Sequence, residues 1–548
     1  MTTTSPFDST YDLIVLGSGC AALTAALRAA TAGLSVLICE KTSLLGGTSA
    51  MSAGGIWVPA NHLAQRAGLE DNLDDALRYI AGATPEGWDE TPSWKAMLAA
   101  GPPMLELIET HTPLRFRLTN EPDPFPAVPG SRPKGRMLSP LPLSRLAAGR
   151  FAFRVRGSTL PEPFTYHEVL ETDLYHRPLS TTFKLLPRLI KRTLTLSAGK
   201  GVALMTGLVR GCVDAGCQIV RQARSTELLL EHGRVTGAKI EWRGRSYEAK
   251  ATHGVLIATG GFEWNPEMMD QYLPGPLAFL GGPRSLTGDG QLMAARAGAE
   301  LSRMDQATFT PAIPKRYRGA VHGMPVPYHG EANVILINQH GQRFTDELVS
   351  NIGELINRRD PETGQMLHLP AHVVTDASYL PKMPLIRLLQ RLSPGWLTKA
   401  PTIEALATKI GIEPDALAAT VARYNALCAT GVDSDFGRGS TKAQQAADKR
   451  KSGGLAPIVK PPFVAIRFNR SIMSTKGGPR TDEHGRALRA DGSVIEGLYC
   501  AGASMANPLG TRGISPGTTL GPFMSWGYLC ADDIVRRAAQ TAQAKPIT

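Results

Sequence analysis

Apolar and polar positions alternate in two different ways along this chain. Near both ends, short unbroken apolar runs of strand length stop at glycine turns, the pattern of strands buried on both faces. The first is Asp12-Leu13-Ile14-Val15-Leu16, which passes into Gly17-Ser18-Gly19-Cys20-Ala21-Ala22. A small, Ala-rich helix is predicted to follow to about residue 32, and a second apolar strand over 35–39 ends in Glu40. A third run, 253–257, ends in Ala258-Thr259-Gly260-Gly261. Thr287-Gly288-Asp289-Gly290 then opens a helix of small residues over 291–299, with Asp289 placed to cap it. A fourth run, Leu498-Tyr499-Cys500-Ala501, ends at Gly502, and Gly513-Ile514-Ser515-Pro516-Gly517-Thr518-Thr519-Leu520-Gly521-Pro522 opens a last helix reaching about residue 538.

Between the ends the pattern changes. Helical spacing predicts helices over 72–83, 92–110, 202–216, 403–411 and 413–430, and period-two stretches predict strands near 217–219, 225–231, 235–242 and 246–251. Residues 118–161 are rich in Pro, Gly and Arg, which predicts an irregular loop able to cover a site. Residues 334–344 read as strand, turn and strand within a segment of dispersed His, Arg, Pro and Tyr.

The terminal runs carry chemistry. In Gly-x-Gly-x-x-Ala after a strand, Gly17 permits a tight turn, Gly19 admits a pyrophosphate to backbone N–H groups, and Ala21 and Ala22 start a helix whose positive end faces the phosphates. Glu40, followed by Lys41, stands near the spacing of about 20 residues expected for an acid on ribose hydroxyls. The run Gly47, Thr48, Ser49, Ser52, Gly54 and Gly55 is small enough to lie flat against an extended cofactor and its isoalloxazine ring, which selects FAD over NAD. Ala258, Thr259 and Gly260, then Gly288 and Asp289, are expected on the same cofactor. Gly502 with Thr518, Thr519 and Leu520 at the last helix start would face the flavin, where helix N–H groups stabilise negative charge.

Length, 548 residues, implies more than one domain. We divide the chain into a cofactor domain over 1–292, a substrate or cap domain over 293–454, and a return to the cofactor over 455–548. The net charge of +11 is scattered and no aromatic-basic motif accompanies it, so nucleic acid is not an expected partner. Seven cysteines form no Cys-x-x-Cys pair and no cluster of metal-ligand spacing, which predicts a reduced, cytoplasmic protein without a metal. No run of about 20 apolar residues predicts a membrane span. Residues 183–196, a basic amphipathic run interrupted by Pro187, leave two readings open: a peripheral membrane contact delivering an apolar substrate, or a helix packed on its own domain.

Taken together, the Gly-x-Gly-x-x-Ala with Glu40, Gly46-Gly47-Thr48-Ser49, Ala258-Thr259-Gly260-Gly261-Phe262, Thr287-Gly288-Asp289-Gly290, Asn338-x-x-Gly341-x-Arg343-Phe344, Gly497-Leu498-Tyr499-x-Ala501-Gly502 and Pro516–Pro522 resemble the fumarate reductase flavoprotein superfamily. Within it the chain is most similar to the 3-ketosteroid dehydrogenases, of the delta-1 or delta-4 (5-alpha) type. The resemblance implies an α/β fold, a Rossmann-like FAD domain built from both chain ends with an inserted α+β cap. It also implies a small apolar, steroid-like substrate, dehydrogenated beside its ketone by loss of a hydride to flavin and a proton to a tyrosine base. The electron acceptor is left open.

A proton alpha to a ketone leaves only if the enolate oxygen is held by donors, a role the N–H near Gly517 suits. Tyrosines expected from the delta-1 group are absent from two positions, occupied by Pro124-Phe125 and by Gly513. The resemblance leaves Tyr328 in the cap as candidate base, with Ser515 at the flavin face. The alternative is a fumarate-type reductase of activated alkenes, using Arg512 as acid with His322 or His329 assisting.

Overall fold

A computed structural model describes residues 5–7, 9–392, 395–440 and 454–543. Both chain ends build its main sheet. Strand Thr10–Leu16 lies at the centre, parallel to Val36–Glu40 on one side and to Arg245–Ile257 on the other. Gln218–Arg221 and Val494–Cys500 extend the parallel order outward, and Arg486–Leu488 closes one edge antiparallel. Leu13, Ile14 and Val15 are fully buried, each contributing about 1.5–3 kcal/mol of apolar transfer. That double burial is why the run carries no alternation.

Helix Cys20–Thr31 packs between this sheet and the last helix, Leu520–Gln543. The approach is close enough that a Cβ on Gly527 would lie 2.2 Å from the Ala21 carbonyl oxygen. An antiparallel meander, Ala223–Glu231, Arg234–Trp242 and the start of Arg245–Ile257, stands on the sheet as its periodicity predicts. The predicted helices are present at Leu73–Ala83, Thr91–His111, Lys200–Asp214, Ile403–Ile410 and Pro414–Thr430.

The cap centres on a four-stranded antiparallel sheet in the order Ile335–Ile337, Ala371–Thr375, Phe463–Phe468, Leu397–Ala400. Its third strand lies beyond 454, and Ser471–Thr475 still pairs with Ala307–Thr310. Strands on the two sides of the expected 454/455 border thus pair with one another. Residues 441–453, just before that border, lie outside the described residues.

Two local expectations are corrected. Pro187 does not interrupt its helix, which runs Pro178–Leu194; the hydrogen bond that proline cannot donate is lost on an exposed turn, where water serves the freed carbonyl. Asp289 does not cap its helix. Gly288, at φ +76°, is the residue before the first turn, and the Asp289 carboxylate is held by Lys41 Nζ at 3.1 Å and Arg224 Nε at 3.3 Å.

Candidate functional site

A cavity of about 300 Å³ opens where the strands Thr10–Leu16, Val36–Glu40 and Arg245–Ile257 end, at the N-terminus of helix Cys20–Thr31. It is the place in an open parallel sheet where ligands bind. Gly17, Gly19, Ala21, Glu40, Lys41, Gly47, Thr48, Ser49 and Ser52 line it, as do Ala258, Thr259, Gly260, Asp289, Gly502, Thr519 and Leu520. These segments come from four distant stretches of chain, and the sheet order brings them together.

Five expected residues stand behind the lining. Ala22 is fully buried in helix packing, and Gly54 touches the Lys200–Gly201 backbone. Gly288 sits against Met268, Gly55 against Tyr166, and the Thr518 hydroxyl donates to the Ser515 carbonyl at 2.5 Å. They shape the walls from outside. Residues missed in the sequence include Ser18, a variable position of the Gly-x-Gly turn, and Thr159, Leu160 and Ser474, which line the cavity but belong to no glycine motif.

The cradle fits a dinucleotide. A Cβ on Gly17, whose φ is +108°, would lie 2.3 Å from the Ala258 carbonyl oxygen, so only glycine lets these turns meet. The N-cap Gly19 brings no side chain to helix Cys20–Thr31 and only the Cys20 N–H is taken by one, that of Ser49, which leaves the next first-turn N–H groups and the positive dipole to a ligand. The Glu40 carboxylate accepts from Ser18 Oγ at 2.6 Å and from the Thr42 N–H at 2.8 Å, one donor on each oxygen. Each oxygen keeps a lone pair for a ribose hydroxyl. Ser49 Oγ accepts from the Cys20 N–H at 3.1 Å and pins the small-residue loop to the helix start.

One further buried acid borders the cavity. Glu263 is 2% exposed, burial pushes its carboxyl up to about 7, and its Oε1 has no hydrogen-bond partner among the described residues. A Cβ on Gly282 would lie 2.6 Å from that oxygen and 3.0 Å from Thr48 Oγ1.

The proposed chemical residues fare differently. Tyr328 does not line the cavity. It is fully buried in the cap core, with ring centroids 5.5 Å from Trp396 and 5.9 Å from Phe468. Its hydroxyl donates to the Arg467 carbonyl at 3.0 Å, and burial pushes the phenol far above its ordinary value. A base must come within hydrogen-bond reach of the substrate carbon, and Tyr328 exposes no surface from which to do so; it is a packing residue, and the expected role is corrected.

Arg512 is likewise taken. Its Nε and Nη2 hold Glu354 at 2.9 and 2.8 Å, and Nη1 donates to the Ala83 carbonyl at 3.3 Å. The ion pair raises its pKa further, so the role of proton donor to a cavity ligand is corrected too. His322 is wedged between Trp264 and Tyr317, and His329 against Tyr328 and Phe468, with burial lowering both. Ser515 is 5% exposed outside the lining, and its hydroxyl has no partner among the described residues.

Gly517 keeps its place. At φ +79° it turns the chain into the last helix, and its carbonyl accepts from the Trp57 N–H at 3.3 Å. Its own N–H has no hydrogen-bond partner among the described residues. Tyr79 stiffens the approach, its hydroxyl donating to the Ile514 carbonyl at 2.6 Å.

A parallel sheet with a first helix whose N-cap brings no side chain, a glycine crossing and a terminal acid defines a dinucleotide-binding protein of the doubly wound class. The chain belongs to the FAD binding domain family, which matches residues 12–520. It is 35% identical to the 4-oxocyclohexanecarboxylate 2-dehydrogenase of Sinomonas cyclohexanicum, over 97% of this chain and 94% of that one. It is 33% identical to the 3-oxosteroid 1-dehydrogenase of Mycobacterium tuberculosis, over 97% and 99%. The crystal structure of the 3-ketosteroid delta1-dehydrogenase from Sterolibacterium denitrificans in complex with 1,4-androstadiene-3,17-dione superposes at TM-score 0.85 and 30% identity, covering 96% of this chain and 100% of that one. The cofactor is FAD, and the chain is an oxidoreductase of a family acting on CH–CH groups.

Proposed function

We propose that this protein removes two hydrogens from a carbon–carbon bond beside a ring ketone, in ring A of a 3-ketosteroid. What supports the reading best is the full-length likeness, at 30% identity and TM-score 0.85, to an enzyme solved with a steroid dienone. The relative named for a 4-oxocyclohexanecarboxylate shares the six-membered ring ketone, which is the part of the substrate the reaction needs.

The N–H groups of Ala21 and Ala22 would hold the pyrophosphate, with Gly17 and Gly19 giving it room. Glu40 and Lys41 would hold the ribose side, and the loop from Gly47 to Gly55 would lie along the flavin. When bound, FAD supplies the hydride acceptor. The unpaired Gly517 N–H then takes the ketone oxygen, stabilising the charge that develops as the alpha proton leaves. Arg512, held in its ion pair with Glu354, argues against alkene reduction through that residue.

The test is anaerobic mixing of oxidised protein with a saturated 3-ketosteroid, a 4-ene-3-ketosteroid and a 4-oxocyclohexanecarboxylate, following the flavin absorbance. Bleaching by either steroid is the expected result, and the responsive steroid identifies the ring position. No bleaching by any of the three, with reoxidation of the reduced protein by an activated alkene, overturns the reading.

An apolar substrate needs a way in, and helix Pro178–Leu194 supplies a surface for it. Its inward face is Thr181, Leu185 and Arg192, the last holding Glu168. Its apolar stripe faces outward: Leu179, Phe183 and Leu194 are 77%, 74% and 80% exposed, with Leu186 and Ile190 between them at helical spacing. Exposed Leu146 adjoins it, since the Arg145 N–H donates to the Leu196 carbonyl at 3.0 Å. Lys184, Arg188 and Lys191 are exposed on the same helix, so an anionic bilayer is the matching occupant. Co-flotation with phosphatidylglycerol vesicles should be lost in a Phe183→Asp/Ile190→Asp variant that retains flavin; co-flotation of that variant, or none by the native chain, overturns the membrane contact. Among the described residues no helix is long and apolar enough to cross a membrane.

A further inference from the structure

The desaturation reading requires a base, and with Tyr328 buried in the cap core the structure offers another candidate. Tyr166 opens helix Tyr166–Glu171, fixed there by the capping box of Thr165 and Glu168. Its hydroxyl donates to Glu121 Oε2 at 2.5 Å. Tyr166 is the hydrogen-bond partner of the Glu121 carboxylate. Burial raises the Glu121 carboxyl, and burial with the adjacent carboxylate raises Tyr166.

Position connects this pair to the reaction. A Cβ on Gly55, at the end of the flavin loop, would lie 2.9 Å from Tyr166 Cε1 and 3.1 Å from Met137 Cε. A Cβ on Gly517 would lie 2.9 Å from that same Met137 Cε. The phenol ring and the Cβ side of Gly517 therefore flank one methyl group, with the Trp57 N–H donating to the Gly517 carbonyl beside them. Glu121 lies in the Pro-rich loop, near Pro124-Phe125, where a tyrosine was expected.

We infer that Tyr166 and Glu121 form the proton-accepting dyad of this enzyme, in place of the tyrosines absent at 124–125 and 513. The ketone oxygen accepts the Gly517 N–H. The alpha C–H bond breaks and its proton goes to Tyr166 Oη while the phenolic proton passes to Glu121 Oε2. The electron pair enters the enolate, forms the new carbon–carbon double bond, and expels the hydride from the neighbouring carbon to FAD. Substrate is oxidised by two electrons, which leave with the hydride for the acceptor that FAD would supply when bound, and the proton rests on Glu121. A relay of this kind needs no free tyrosinate, so a raised phenol is compatible with it.

This rests on the desaturation reading, and the two fail differently. Tyr166→Phe should keep flavin content and thermal midpoint, yet slow anaerobic flavin reduction by the responsive ketone about 100-fold or more, the usual worth of a general base. It should equally slow exchange of the ketone's alpha protons in D2O, read by NMR. Glu121→Gln keeps the shape but accepts no proton, so the rising limb of kcat/KM against pH should move up towards ionisation of the phenol. Tyr328→Phe, outside the cavity, should reduce its flavin at the native rate. If Tyr166→Phe reduces within about threefold of the native rate, or Glu121→Gln leaves the pH profile in place, the dyad is overturned alone. If the native protein is bleached by no ring ketone, the desaturation reading falls and the dyad with it.

Discussion

The cradle at the sheet's edge and the segment of residues 57–198, which follows the small-residue loop and is called the roof, are built from different materials. The cradle is backbone: Gly17 crosses Ala258, a helix whose N-cap brings no side chain offers N–H groups, and a single acid, Glu40, ends the second strand. The roof is held by buried charge. Arg136, 2% exposed, pairs with Asp71 at 2.7 Å and Asp123 at 2.8 Å, and Asp123 also accepts from Trp57 Nε1 at 3.0 Å. In the cap, Arg343 and Arg438 converge on Glu347 at 2.7 and 3.0 Å. A backbone site leaves no room for added atoms, whereas a charge clamp depends on keeping every partner.

The sharpest way to break that contrast is to add one methyl group to the cradle. In Gly17→Ala the new Cβ would sit 2.3 Å from the Ala258 carbonyl oxygen, at a φ of +108° that L residues avoid. The turn must open, and the pyrophosphate loses its seat. We expect the variant to purify without flavin absorbance while retaining helical circular dichroism; a full complement of FAD would show that the crossing is looser than its geometry requires.

The same contrast explains what the sequence disclosed. Strand, Gly-x-Gly-x-x-Ala, helix and Glu40 lie within one local stretch, and each residue type is demanded by backbone geometry, so the cofactor half is readable in order. Roof contacts have no such local cause. The bond from Tyr166 to Glu121 spans 45 residues, and nothing around either residue marks it. Tyr328 sat in a plausible motif, but only the fold shows its ring against Trp396 and its hydroxyl on the Arg467 carbonyl. Asp289 has a cap residue's composition and neighbours, yet Lys41, 248 residues away, claims its carboxylate. In helix Pro178–Leu194 the amphipathic pattern was legible, whereas the direction of its apolar face depends on Glu168, which holds Arg192 inward.

For the roof, removal rather than addition is the test. Arg136→Ala leaves Asp123 buried without its cation and Asp71 with only Arg132, at 3.6 Å, and breaking such a buried pair costs about 3–5 kcal/mol. Denaturant unfolding should show that loss, with bound FAD retained at low denaturant because the cradle is untouched. A loss below about 1 kcal/mol, the range of exposed pairs, would mean water reaches the clamp.

The smallest effect is expected where roof and cap meet. His176 Nε2 lies 2.8 Å from Glu331 and its Nδ1 against Asp173, and these carboxylates raise the imidazole to about 9 against burial's opposing effect. The group is therefore protonated in the folded chain well above the pH at which it loses its proton when unfolded. Its contribution is complete below about pH 6.5 and is lost as pH rises through the folded value. His176 keeps a quarter of its side chain in solvent, so water screens part of the gain. The thermal midpoint of the native protein should exceed that of His176→Ala at mildly acid pH, and the difference should shrink steadily through the alkaline range. A gap that stays constant with pH would mean that packing of the ring, rather than its charge, joins this segment to the cap; the contrast between a backbone cradle and a charge-held roof would then stop short of the cap edge.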